Sequence, residues 1–293
     1  TYTRMNIRNI LLSVVTGAIA CSCNFSEDDC IRLGRLKAYC DFAEIEARDI
    51  PVPANRHLLA YGISENTLTE AEKRTFSEDT LRCDFPRGDY NFIFVTGSNE
   101  IHDMLSHRDC RLLSAVTEKN GKTYLSDKQS FVCKQLFSEH FEYQKETVRK
   151  IIPLPFTQTI VIRLHVSGNL SPIVGISSEL DGIAVGKYLT MDKLCSESAT
   201  LLSEYTKAED GKLWESTNYV FGITTTVDNV LRITTHTTDT SGGTYSVDLS
   251  SYLRGFDKYK ITIDLNLVVG EYVKVGDTVT IEDWKTGDII TLN

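Results

Sequence analysis

Thiols are the residues of this 293-residue chain best placed to do chemistry. There are eight: Cys21, Cys23, Cys30, Cys40, Cys83, Cys110, Cys133 and Cys195. Cys21 stands apart because Ala18-Ile19-Ala20 lies directly before it and an apolar run from Ile10 leads up to it. Small residues two apart are what a signal peptidase accepts, and a thiol at the cut can carry a covalent lipid. Cys23, two residues on, is the alternative acceptor. The remaining thiols lack the regular spacing of a disulfide framework, and no CxxC occurs to suggest a zinc ribbon or a thioredoxin-type redox pair. Most read as small buried apolar residues, with some disulfides left open.

Other constellations are weaker. Asp239-Thr240-Ser241-Gly242 places Gly one position too late for the tight loop of an aspartic protease, and no second copy supplies the paired carboxylate. A hairpin turn accounts for it. His102 and His107 are five apart, which does not align two imidazoles on one helix face, and no HExxH occurs. GxSxG, P-loop and GxGxxG motifs are absent as well. Arg87-Gly88-Asp89 sits where a turn needs Gly. Trp214 and Trp284 could stack on sugars or simply pack. The reading is non-catalytic, with no metal and no cofactor beyond the lipid.

The elements that position Cys21 are a basic Arg8, the eleven-residue apolar stretch Ile10–Ala20 and then the thiol. This order resembles a bacterial lipoprotein signal peptide, with Met5 as the native start, residues 1–20 as the signal and cleavage between Ala20 and Cys21. Residues 21–30 then form a lipidated tether. Ser26-Glu27-Asp28-Asp29 resembles the surface-export signal of Bacteroidota lipoproteins; a solvated leash is the alternative. The apolar stretch is too short to span a bilayer. The formal charge of −9 becomes more acidic once Arg4 and Arg8 are removed, which disfavours nucleic acid as a partner.

Beyond residue 30, strand patterns dominate. Pro86-Arg87-Gly88 feeds a run in which Tyr90, Phe92 and Phe94 share one face and Ile93 and Val95 the other, as in a strand buried on both sides. Asn120-Gly121 predicts a hairpin turn. Gly34–Phe42, Thr159–Ser167, Thr217–Val227, Val230–Thr238, Thr244–Leu249 and Lys258–Val269 read as strands, with turns at Asp228-Asn229 and Ser241-Gly242-Gly243. Ser98–His107 reads as one or two helical turns. Pro153 and Pro155 mark a boundary between two β-sandwich domains, 31–155 and 156–293.

Four places, in this order along the chain, resemble the fimbrillin-like superfamily of Bacteroidota surface lipoproteins, in its pilus-anchor and minor-subunit branch. They are the acidic stretch ending at Cys30 with the strand Gly34–Phe42, the run Phe85–Phe92, the strand Thr159–Ser167 leading into Ile176–Ile183, and the closing Val279–Trp284. The resemblance implies an all-β fold of two transthyretin-like β-sandwich domains in tandem. It also implies a structural role in outer-membrane fimbriae, with other pilus subunits as partners. Such subunits complete one another's sheets by strand exchange, and Ile289, Ile290 and Leu292 form the candidate donor strand, with Val279–Trp284 beside it. Closure of the chain's own domain is the alternative use of that strand. Proteolytic maturation would need an exposed Arg, for which Arg48 and Arg56 are candidates. A surface glycan-binding lipoprotein is the alternative function; it requires Trp214 and Trp284 to be exposed and close together.

Overall fold

The computed structural model describes residues 33–292 apart from 65–66, 69–71, 98–99, 127–128, 169, 171–172 and 239–241. The fold is all-β. Among the described residues five sheets carry it, and the only helices are single turns, α1 (Ala43–Glu46) and α2 (Ser250–Leu253).

The first half is organised around one strand. β6 (Gly88–Thr96) lies between β2 (Arg56–Ser64) and β11 (Cys133–Phe141), and β3 (Thr67–Leu68), β4 (Glu72–Phe76) and β13 (Leu154–Pro155) complete that sheet. Gly88 opens β6 at φ 152°, a backbone region closed to most side chains. Phe92, Ile93, Phe94 and Val95 are all fully buried, so the alternation read from sequence is a strand covered on both faces. The two faces serve different cores. Phe92 and Phe94 join Leu36, Phe85, Phe141 and Ile151, with Phe92 stacked on Phe137 at 4.8 Å. Ile93 and Val95 join Leu59, Tyr61, Leu112, Phe156 and Phe221.

A three-stranded sheet covers the aromatic face. β1 (Leu33–Cys40) is its middle strand, parallel to β12 (Glu146–Ile151) and antiparallel to β5 (Thr80–Pro86). Leu36 and Ala38 point inward, and Leu33 and Arg35 outward. A smaller sheet of β7 (Glu100–His102), β8 (Arg111–Leu113) and β16 (Gly186–Tyr188) lies among the elements of the other core.

The second half is a sandwich of two six-stranded sheets. One has the order β18 (Thr206–Lys207), β19 (Leu213–Val220), β14 (Gln158–Ser167), β22 (Lys260–Val268), β23 (Tyr272–Glu282) and β24 (Ile289–Leu292). The other runs β21 (Thr244–Asp248), β20 (Val230–Thr237), β15 (Ile173–Ala184), β17 (Ser198–Glu204), β10 (Lys122–Leu125) and β9 (Val116–Lys119). Ile160, Ile162, Leu164 and Val166 of β14 face the shared core beside Ile261, Ile263, Leu265 and Leu267 of the parallel β22. Arg163 and His165 face outward, 2.7 Å from Glu215 and 3.3 Å from Asp264.

Asn120 and Gly121 form the expected hairpin turn between β9 and β10, both with positive φ. That hairpin precedes Pro155 in the chain, yet β10 pairs with β17. In the same way β16 pairs back with β8. Three local expectations are corrected. In place of helical turns, the described part of Ser98–His107 holds β7 followed by turns, because Ile101 is drawn into the core. The strand expected over Thr217–Val227 runs from Leu213 to Val220. Asp228-Asn229 is not a hairpin turn, since β19 and β20 belong to opposite sheets and Asn229 is fully buried, its amide donating to the Asp181 carbonyl at 3.1 Å.

Lys134 of β11 is an unusual neighbour for these cores. Its Nζ donates to the Leu189 carbonyl at 2.7 Å and sits 4.6 Å from the Phe156 ring. Burial, reinforced by Lys187, pulls its ammonium down to about 8. The unfolded chain then binds more protons than the folded one above that value, so stability should rise between about pH 8 and the ordinary lysine range. Denaturant titrations across that window should show the rise in the native protein and lose it in Lys134→Met.

Candidate assembly edge

The C-terminal hairpin is where sequence and structure meet. β23 ends at Glu282, and the turn through Lys285, Thr286 and Gly287 reverses the chain, with Gly287 at φ 68°. Asp283 organises that turn: its carboxylate accepts from the Lys285 amide at 2.8 Å and its carbonyl accepts from the Gly287 amide at 2.9 Å. The hydrogen bond from the Lys285 amide, joined by the Lys258 ammonium at 3.1 Å, holds the Asp283 carboxyl below the usual range. β24 then returns antiparallel to β23, with Ile290 opposite Ile281 and Leu292 opposite Val279.

β24 is the edge of its sheet, and no described strand pairs with its outer side. All four of its residues are exposed, with Ile289 at 68 %, Ile290 at 51 % and Leu292 at 38 %. An uncharged β-branched edge with free backbone groups is a template for another strand. The candidate donor residues are thus brought together on one open edge. They also pair with β23 along their whole length, so in this structure the strand completes its own sheet, as the alternative use expects.

The other sequence candidates distribute differently. Ala20, Cys21, Cys23, Ser26, Glu27, Asp28 and Asp29 lie outside the described residues. Trp214 and Trp284 are buried in two different cores, which removes the paired exposed platform. Arg56 is buried and ion-paired with Asp79 at 2.8 Å. Arg48 is engaged with Glu282, so neither Arg stands free for a protease. Asp89 of the Arg-Gly-Asp tripeptide accepts from or contacts His140 at 2.8 Å. His107 packs edge-on to Tyr61 at 5.0 Å, and no group of three potential metal ligands occurs among the described residues. The five described cysteines form no disulfide; Cys110, Cys133 and Cys195 are buried.

One feature of this region had no local signal in the sequence. Trp284, in the last turn, belongs to the aromatic core of the first half. Its ring meets Tyr259 edge-on at 4.8 Å, and the Arg48 guanidinium lies 4.2 Å from its centre. Arg48 also pairs with Glu282 and donates to the Trp284 carbonyl at 3.3 Å. Burial pushes the Tyr259 phenol to about 12. A shallow cleft of about 370 Å³ opens beside this cluster, lined by Phe156, Lys187, Tyr259 and Trp284 among others.

An all-β chain of packed sheets is the class the fold defines, and solved structures share it. No protein-family model matches the sequence, and comparison with curated proteins finds no match. A candidate adhesin from Bacteroides ovatus superposes with a TM-score of 0.59 at 11 % identity, covering 85 % of this chain and 96 % of its own. A Bacteroides thetaiotaomicron structure described as a candidate polysaccharide-binding protein gives 0.56 at 9 % identity, covering 89 % and 98 %. The fimbrial anchor protein Mfa2 from Porphyromonas gingivalis gives 0.53 at 11 % identity, covering 90 % and 100 %. The chain therefore has the fold of these Bacteroidota structures, the fold that the resemblance in its sequence implies.

Proposed function

We propose that this protein is a non-catalytic structural lipoprotein of the cell surface. In this reading it is a fimbrial anchor or accessory subunit, tethered to the outer membrane through Cys21 and joined to other pilus subunits by strand complementation. The observation that carries the reading is β24: an exposed, uncharged strand at an open sheet edge, on a fold shared with a fimbrial anchor. Main-chain hydrogen bonds along such an edge supply affinity, and alternate side chains such as Ile290 and Leu292 supply register.

Deleting Ile289–Asn293 tests it. Because β24 buries little, the truncated protein should remain β-rich with nearly unchanged thermal stability, yet fail to enter surface polymers. Normal incorporation after the deletion would remove β24 as the joint. Polysaccharide binding is the second reading, motivated by the B. thetaiotaomicron relative. With both tryptophans buried, it would have to use exposed tyrosines such as Tyr143 or Tyr272.

A further inference from the structure

The outer face of the β12-β1-β5 sheet carries an excess of positive charge in an acidic protein. Register across the three strands places its outward side chains in rows. In one row Arg35 lies between Glu146 and Asp84, and its guanidinium is 2.9 Å from the Asp84 carboxylate. In another, Tyr39 lies between Lys150 and Thr80, and Lys150 is paired with Asp41 at 2.5 Å. At the Leu33 end, Lys145 is paired with Glu142 at 2.8 Å. These basic residues are compensated.

The row between them is not. Lys37 stands directly opposite Arg82 on one side and Val148 on the other. Neither Lys37 nor Arg82 makes an ion pair or side-chain hydrogen bond with any described residue. Like charges facing each other across a ladder oppose folding. Lys37 is half-buried and Arg82 exposed. Arg87, exposed and one residue past Pro86, which pairs with Leu33, adds a third cation. It makes no short ion pair among the described residues, although it helps hold the nearby Glu142 carboxyl down. Val148, in the row itself, is 58 % exposed, and Tyr39, in the next row, is 39 % exposed.

The chain itself says what this face meets. Residues 1–32 join the described structure at Leu33, on this sheet. Under the lipoprotein reading above, on which this inference rests, Cys21 is embedded in a bilayer. Twelve residue steps from Cys21 to Leu33 span at most roughly 40 Å, so the tether holds this sheet close to the membrane. Anionic lipid phosphates complement Lys37, Arg82 and Arg87, and Tyr39 and Val148 suit the apolar side of a headgroup layer. We infer that the outer face of this sheet is a membrane-contacting surface that binds phosphate-bearing lipid headgroups and lays the first sandwich on the bilayer.

Flotation of the full-length protein with phosphatidylcholine vesicles, with and without phosphatidylglycerol, tests this, combined with acetylation footprinting of Lys37. Lipid attachment alone should float the protein with both vesicle types. The inference expects a further difference: Lys37 acetylates more slowly on the anionic vesicles than on the neutral ones, and high salt abolishes that protection. In the unlipidated Cys21→Ser protein, binding to anionic vesicles should weaken about fivefold for each of Lys37→Ala and Arg82→Ala. Equal acetylation on both vesicles, or binding unchanged in Lys37→Ala/Arg82→Ala, would overturn it. So would protection already complete without anionic lipid and lost on replacing Glu27, Asp28 and Asp29 with Ala, because the occupant would then be the chain's own acidic run. Failure to float on neutral vesicles would count against the lipid anchor alone, leaving the anionic arm to be scored in its own right.

Discussion

Trp284→Ala should lower the unfolding free energy by about 3–5 kcal/mol, the usual cost of emptying a buried aromatic site. The indole is only 8 % exposed and fills the core built by Phe85, Phe92 and Phe141, although it lies two residues beyond β23. Its loss also strips the Arg48 guanidinium of a ring 4.2 Å away. Trp284→Phe should cost less, since the indole Nε1 is buried with no hydrogen-bond partner among the described residues and its removal relieves that deficit. Denaturant midpoints at constant slope would measure both. A double-mutant cycle with Arg48→Ala should show coupling above about 0.5 kcal/mol, as expected for a cation over an aromatic face. Additive effects would mean that the guanidinium touches the ring without stabilising it.

The second large effect concerns attachment. Cys21→Ser should transfer the protein from the detergent phase to the aqueous phase on membrane extraction, or leave the signal peptide uncleaved. Each buried methylene contributes about 0.8 kcal/mol to membrane binding, and two or more chains hold a protein stably where one does so only marginally. Loss of the acceptor thiol should therefore read as near-complete release. Lipid retained on the mutant, detected by mass spectrometry, would move the acceptor to Cys23.

What could be read from sequence was what local patterns encode. β6 was legible because its doubly covered part, Phe92–Val95, is apolar at every position, and Gly88 at its start marks the turn. β14 was legible because Ile160, Ile162, Leu164 and Val166 alternate with outward residues, and the β9-β10 turn because Asn-Gly accepts positive φ. The misreadings share a cause. Asp228-Asn229 has turn chemistry, but whether the chain folds back or crosses to the facing sheet depends on where β15 and β14 lie, tens of residues away. A sugar platform and a core plug call for the same residue, so Trp214 and Trp284 could not be sorted without the fold. The candidate donor strand was legible as Ile289, Ile290 and Leu292, but its exposure was not, because that depends on the opposing sheet failing to cover it. Arg48 and Trp284 are 236 positions apart, and no local periodicity reports such a pairing.

The position of β1 has a mechanical consequence for a tethered protein. In the lipoprotein proposed above, tension entering from the membrane side would reach the fold at Leu33 and run along the axis of β1. That strand is hydrogen-bonded on both sides, to β12 and to β5, so its bonds are strained sideways and together rather than opened one after another as in a peeling edge. Were a partner to dock on β24 as proposed, its tension would have a short route to the same strand. It passes through the turn at Trp284 to Arg48, and from there through α1, which follows β1 after only two residues. The Arg48 contact thus acts as a splice between the two ends of the chain. A pull between membrane and polymer can cross the molecule there without first unravelling the sheets that lie between them in sequence.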